Sequence, residues 1–155
     1  MEKYLNVYFG SQTDYYSAMY KQYLNGKKFT FNFVSFLLVP YWFLYRKLYL
    51  HGLLLFVFIA IIEQVEALLF KKLAVADQNQ LIIHYSISMV LSIFAGFMGN
   101  YLYIKKMEKN LEEVFVSTDD EEQRMELIYK KGGTWFGAYV LGGLLLIVLA
   151  FIIRK

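Results

Sequence analysis

The sequence predicts an all-α integral membrane protein: three transmembrane helices, an interfacial or re-entrant aromatic helix, and cytoplasmic amphipathic helices. Three observations carry this. Of 155 residues, 58% are hydrophobic and 19% aromatic, while only 19% are charged; a soluble domain carries about 25% charged residues. The apolar residues gather in long runs, and a helix needs about 20 of them to cross a bilayer. The charged residues gather between those runs, above all in residues 105–133. The length fits one domain, so residues 1–155 form a single membrane domain. Cysteine is absent, which excludes disulfides, thiol nucleophiles and thiolate metal sites.

Residues 1–28 are expected to form a cytoplasmic amphipathic helix. The start, MEKYLNVYFGSQTD, lacks the basic-then-apolar pattern of a signal peptide, so the N-terminus is expected to stay in place on the cytoplasmic side. Ser11, Thr13 and Asp14 offer helix caps and Gly26 a stop. Tyr16, Met19, Tyr20 and Tyr23 repeat at helical spacing and define one face. Such a stripe packs on the rest of the protein or sits at headgroup level, where a tyrosine keeps its ring dry and its hydroxyl wet.

Residues 29–47 are the aromatic segment, within the run FTFNFVSFLLVPYWFLYRKLYL, which holds the single proline, Pro40. Proline removes a backbone donor and clashes with the preceding turn, so a straight crossing helix is disfavoured. In lipid the freed carbonyl, that of Phe36, needs another partner, and Asn100 is placed by depth to supply it. Only Arg46 and Lys47 separate this run from the next. A two-residue polar turn is too short for a helical hairpin, which favours an interfacial or re-entrant helix.

The three spans are residues 48–69, 81–104 and 135–153. In the first, Glu63 lies roughly 22 Å along the helix from Leu48, near the far interface. In the second, Gly96 and Gly99 mark a close-packing face. In the third, Gly133, Gly137 and Gly142 do the same, since small residues let a neighbouring helix approach. Between the second and third spans, residues 105–133 form a charged helical loop. Its second helix begins near Ser117 or Thr118, ends on Lys130 and Lys131, and stops at Gly132. Six basic residues lie in residues 1–47, six in 105–133, and four on the opposite side. That imbalance places the N-terminus and the long loop in the cytoplasm and the C-terminus outside.

The order Phe31-Asn32, aromatic run, Pro40, Trp42, Leu44-Tyr45-Arg46-Lys47 resembles a bacterial inner-membrane family catalogued as domain of unknown function 2628. Gly99-Asn100-Tyr101-Leu102-Tyr103 and Gly132-Gly133-Thr134-Trp135 add to the likeness, which spans roughly residues 15–136. The chain departs from the pattern at Val39, where the family shows glycine before the proline. The resemblance implies a small protein of the bacterial cytoplasmic (inner) membrane and brings no catalytic residues.

Two clusters carry chemistry. Glu63 and Glu66 share a helix face at i, i+3, and His84 opens the next span at similar depth. Together they form a polar or ion site, since ionisable groups in membrane segments are functional by default. Their interfacial depth and the lack of a repeated carboxylate–histidine spacing weigh toward a plain polar cluster instead. Asn32, Pro40, Trp42, Tyr45, Arg46 and Lys47 are expected to contact the interface and anionic lipid headgroups, at about 1 kcal/mol per basic residue. Neither a nucleotide loop, nor a catalytic triad order, nor zinc spacing occurs, so no enzyme, cofactor or metal is expected. The scattered basic residues argue against nucleic acid. The reading that follows is a non-enzymatic scaffold or regulator of a membrane partner, with homo-oligomerisation open. The alternative is an oligomeric transport or channel component using Glu63, Glu66 and His84.

Overall fold

The computed structural model describes residues 1–135, together with Gly137 and Val140. Every regular element among them is helical: α1 (Glu2–Phe9), a 3₁₀ turn (Gly10–Gln12), α2 (Thr13–Leu24), α3 (Phe33–Leu37), α4 (Tyr41–Tyr45), α5 (Tyr49–Lys72), α6 (Asp77–Ser117) and α7 (Glu121–Lys131). The segment 135–153, expected as a third span, lies almost wholly outside the described residues, as does Gly142.

Helices α5 and α6 are both long and apolar enough to cross a membrane. Their apolar side chains point outward rather than into a core. Leu53, Leu54, Ile61 and Leu68 on α5 and Ile82, Val90 and Phe94 on α6 are all more than half exposed. A helix that is apolar all round while unburied has lipid as its solvent. At 41 residues, α6 is about 62 Å long, twice the hydrocarbon core of a bilayer. The expected boundary near residue 105 is therefore a change of surroundings and not the end of a helix. Residues 101–117 contain neither glycine nor proline, so nothing in the backbone interrupts the ladder where the charges begin.

The aromatic segment is two short helices instead of one. Asn32 caps α3 by accepting the Ser35 N–H at 2.9 Å, the usual role of an asparagine at an N-cap. The chain then breaks at Leu38–Pro40, with a cis Val39–Pro40 peptide, and restarts as α4. Each has five residues, too few to cross a bilayer. They are clasped by the long helices. α3 lies against α6 at Gly96 and Gly99, where a Cβ on Gly99 would stand 2.7 Å from Ser35 Oγ. Ser35 Oγ donates to the Ala95 carbonyl at 2.9 Å, and the Asn32 N–H donates to the Gly96 carbonyl at 2.8 Å. α4 turns onto α5, with Leu44 pressed on Gly52.

The remaining helices form a headpiece around the far half of α6. Tyr8, Phe9, Tyr16, Trp42, Tyr103, Met107, Val114 and Ile128 are sealed together. α7 folds back along α1 and α6. Its N-cap is Asp120, which accepts the Glu122 N–H at 3.0 Å; Ser117 ends α6 and Thr118 extends between the two helices. Gly132 passes so close to α1 that a Cβ would stand 2.5 Å from the Tyr8 carbonyl oxygen. Gly133, expected to pack a helix, sits instead in the loop at φ 65 with open space around it. What faces Gly137 is its neighbour Trp135. The Trp135 N–H donates to the Tyr45 carbonyl at 2.8 Å, which brings the chain back to the elbow.

Candidate functional site

The elbow between α4 and α5 ends on two basic residues, and the fold treats them differently. Arg46 is 1% exposed. Its guanidinium lies among three tyrosine rings, 4.6 Å from the centroid of Tyr16, 5.3 Å from Tyr45 and 5.0 Å from Tyr103. Nη2 donates to Gln12 Oε1, whereas Nε and Nη1, like the buried Tyr103 hydroxyl, have no hydrogen-bond partner among the described residues. No carboxylate pairs with it in that set. Each ring offers a desolvated cation about 0.5–2 kcal/mol, which offsets part of the cost of removing a charge from water.

Lys47 adopts φ 57, a left-handed conformation rare for a residue with a side chain. Its surroundings hold it there. Lys106 Nζ donates to the Arg46 and Lys47 carbonyls at 3.2 and 2.7 Å. Lys47 Nζ in turn donates to the carbonyls of Lys130 and Gly132 at 3.0 and 2.6 Å. Partial burial pulls the Lys47 ammonium below its ordinary pKa. Nearby, burial pushes the Tyr8 and Tyr16 phenols above their ordinary range, so both stay neutral at physiological pH.

Behind the elbow lies a buried amide network. Asn100 is fully buried and accepts from Asn32 Nδ2 at 2.8 Å. Its own Nδ2 donates to the hydroxyls of Tyr15 and Thr30 at 2.9 and 3.0 Å. It thus ties α6 to α2 and to the entry of α3. The expected bond to the Phe36 carbonyl is not among those Asn100 makes, because its Nδ2 donors go to the Tyr15 and Thr30 hydroxyls instead.

Of the residues expected at headgroup level, Asn32, Pro40, Trp42 and Arg46 are covered by the fold. Asn32 is 3%, Trp42 2% and Arg46 1% exposed, and Pro40 is buried as well. Tyr45 and Lys47 are half-buried at the rim. The positive charge that marks Arg46 as a surface anchor is surrounded by aromatic faces instead of water.

At the other end of the long helices, Glu66 Oε2 and His84 Nδ1 are 2.8 Å apart, with the Glu66 side chain 9% and the His84 side chain 40% exposed. Glu63 lines the same groove, with Lys71, Asp77 and Gln80. Among the described residues no three carboxylate or imidazole groups are placed to hold a metal ion. The three residues therefore share a groove, but only Glu66 and His84 touch.

Sequence reasoning passed over Gln12, Tyr16 as a cation's neighbour, Thr30, Tyr103 and Lys106. A signal existed for one of them. Asn100 and Tyr103 stand at i, i+3 and so share a face of α6, the face that meets both the amide network and the guanidinium.

Among the described residues, the fold defines an all-α protein with two membrane-length helices and a tightly packed polar-aromatic elbow at their base. The chain belongs to the family described as Protein of unknown function (DUF2628), whose model matches residues 12–109. The match runs from Gln12 through the elbow and α5 into α6. It stops short of α7, so the Gly132–Trp135 likeness falls outside it. Comparison with curated proteins and with solved structures finds no match.

Proposed function

We propose that this chain is a three-span protein of the bacterial cytoplasmic membrane that scaffolds or regulates a membrane partner through a cytoplasmic headpiece, without catalysing a reaction. One observation supports this most. The far half of α6 continues past the bilayer-length portion and is wrapped by α1, α2 and α7 around a sealed core. A protein that only needed an anchor would have no use for a folded body there. The headpiece leaves Val116 85% and Tyr129 73% exposed, and an exposed aromatic such as Tyr129 on a polar body favours contact with another protein.

The test compares the full chain, purified in mild detergent, with the double variant Val116→Ser, Tyr129→Ala. A partner that co-purifies with the first and is lost from the second supports the scaffold. Identical sets of co-purifying proteins overturn this assignment of its surface. A reporter fused after Lys155 that is active only in the cytoplasm overturns the three-span topology.

A second reading, an oligomeric transport component, draws on the Glu66–His84 pair. Ion flux unchanged by Glu63→Gln with Glu66→Gln removes it.

A further inference from the structure

The buried Arg46 raises a question that its role in the fold leaves open. A guanidinium presents five donors in a planar fork suited to carboxylate or phosphate oxygens. Here one donor group is met by an uncharged amide oxygen, and Nε and Nη1 face aromatic rings with no hydrogen-bond acceptor among the described residues. Burying a cation without an anion is costly, and native proteins pair it.

Arg46 and Gln12 both line a cavity of about 310 Å³. It is enclosed by the 3₁₀ turn, the elbow, and the end of α7 with its glycine loop. Among the described residues three cations line it, Arg46, Lys47 and Lys130, and no carboxylate does. Ser11 and Thr134 add hydroxyls to the wall. Lys47 closes one side through its bonds to the Lys130 and Gly132 carbonyls. Lys130 is itself paired outward with Glu126. On the other face of Gln12 a second cavity contains Asp14, which would repel an anion. Arg46 borders both cavities, but only the α7-side one adds Lys47 and Lys130 to it, and the other sets Asp14 against it.

We propose that the α7-side cavity binds a phosphate-bearing anion, with the Arg46 guanidinium as its principal donor and the Gln12 carbonyl as the internal stand-in that the anion displaces. Gln12 is the last residue of the 3₁₀ turn and is exposed, so its side chain is free to swing out. The phosphate belongs either to a soluble phosphate compound or to the headgroup of a membrane lipid, and the cavity chemistry is the same for both. The inference stands apart from the scaffold reading, since anion binding requires no protein partner.

The full chain is purified in a neutral detergent and its thermal unfolding is followed by tryptophan fluorescence while inorganic phosphate is titrated. A parallel arm places it in nanodiscs of phosphatidylcholine alone or of phosphatidylcholine with phosphatidylglycerol. Stabilisation by phosphate identifies the soluble source; stabilisation by phosphatidylglycerol only identifies the headgroup. In either arm Arg46→Gln weakens binding at least about tenfold, as loss of a charge-assisted fork requires. Gln12→Ala tightens it about threefold or more, because the competing acceptor is gone. If Arg46→Gln does not fold, Gln12→Ala and Lys130→Gln decide, the latter weakening binding about threefold. The proposal falls if neither phosphate nor phosphatidylglycerol stabilises the wild type. It falls equally if the stabilisation is unchanged in these variants; Arg46 is then a structural cation held by its tyrosine rings.

Discussion

The two halves of α6 belong to one uninterrupted helix, yet their apolar residues meet opposite fates. In the first half Ile82, Val90 and Phe94 are more than half exposed; in the second Tyr103, Ile104, Met107 and Val114 are at most 1% exposed. The half with the greater apolar content is the less buried. A bilayer dissolves apolar side chains without help from the protein, so they need no packing partner there. Past the bilayer, the same kinds of side chain must be covered by the chain itself. The helices α1, α2 and α7 and the elbow supply that cover. The stability of the fold in detergent therefore resides in the headpiece and elbow, while the long apolar arms are held mainly by their solvent.

The largest effect is expected at the joint between the halves. Asn100→Leu removes a fully buried amide and takes a hydrogen-bond partner from Asn32, Thr30 and Tyr15. Asn32 and Thr30 are buried, and each buried group left unpaired costs about 1–3 kcal/mol, so the loss should be about 2 kcal/mol or more; the exposed Tyr15 turns to solvent. Thermal unfolding in mild detergent measures it. A variant as stable as wild type would erase the distinction between joint and arm.

An intermediate effect comes from the headpiece tyrosines. Tyr8 accepts from Asn110 Nδ2 at 2.8 Å, and burial raises its phenol pKa above the ordinary value of 10.0. The raised pKa means that stability is fully present below pH 10 and is lost above it, as the unfolded chain ionises first. Tyr8→Phe should cost about 0.5–1.5 kcal/mol at neutral pH for the lost hydrogen bond. That deficit should shrink, measured by unfolding at a series of pH values, as the wild type weakens above pH 10. A deficit constant with pH would place the Tyr8 hydroxyl in contact with solvent.

The smallest effect belongs to the arms. Val90→Ala and Leu54→Ala should each change detergent stability by no more than about 0.5 kcal/mol, the usual range for exposed sites. A loss of several times that amount would show that the arms pack on protein, either in the same chain or in a second copy.

Much of this was legible from residue order. The apolar lengths of α5 and α6 announce themselves, because leucine, isoleucine and phenylalanine in runs of that size have few other uses. Pro40 marks the break in the aromatic segment for a covalent reason. The tyrosine stripe of α2 is visible at helical spacing, and Tyr16 on it is buried against the core while Met19, Tyr20 and Tyr23 pack at its edge. The burial of Arg46 was not legible. It depends on rings from α2, α4 and α6 converging on one point, and nothing local distinguishes such an arginine from a surface anchor. Nor was the continuity of α6, since a switch from apolar to charged residues changes the medium without changing the backbone. Depth alone points Asn100 to the elbow; which elbow group it meets depends on the cap of α3.

The unbroken length of α6 has a mechanical consequence. A helix of about 62 Å with one end in lipid is a lever, and tilting it by about 10° displaces its far end by about 11 Å. The headpiece is bolted to that end, so bilayer thickness sets where in space its exposed surface is carried.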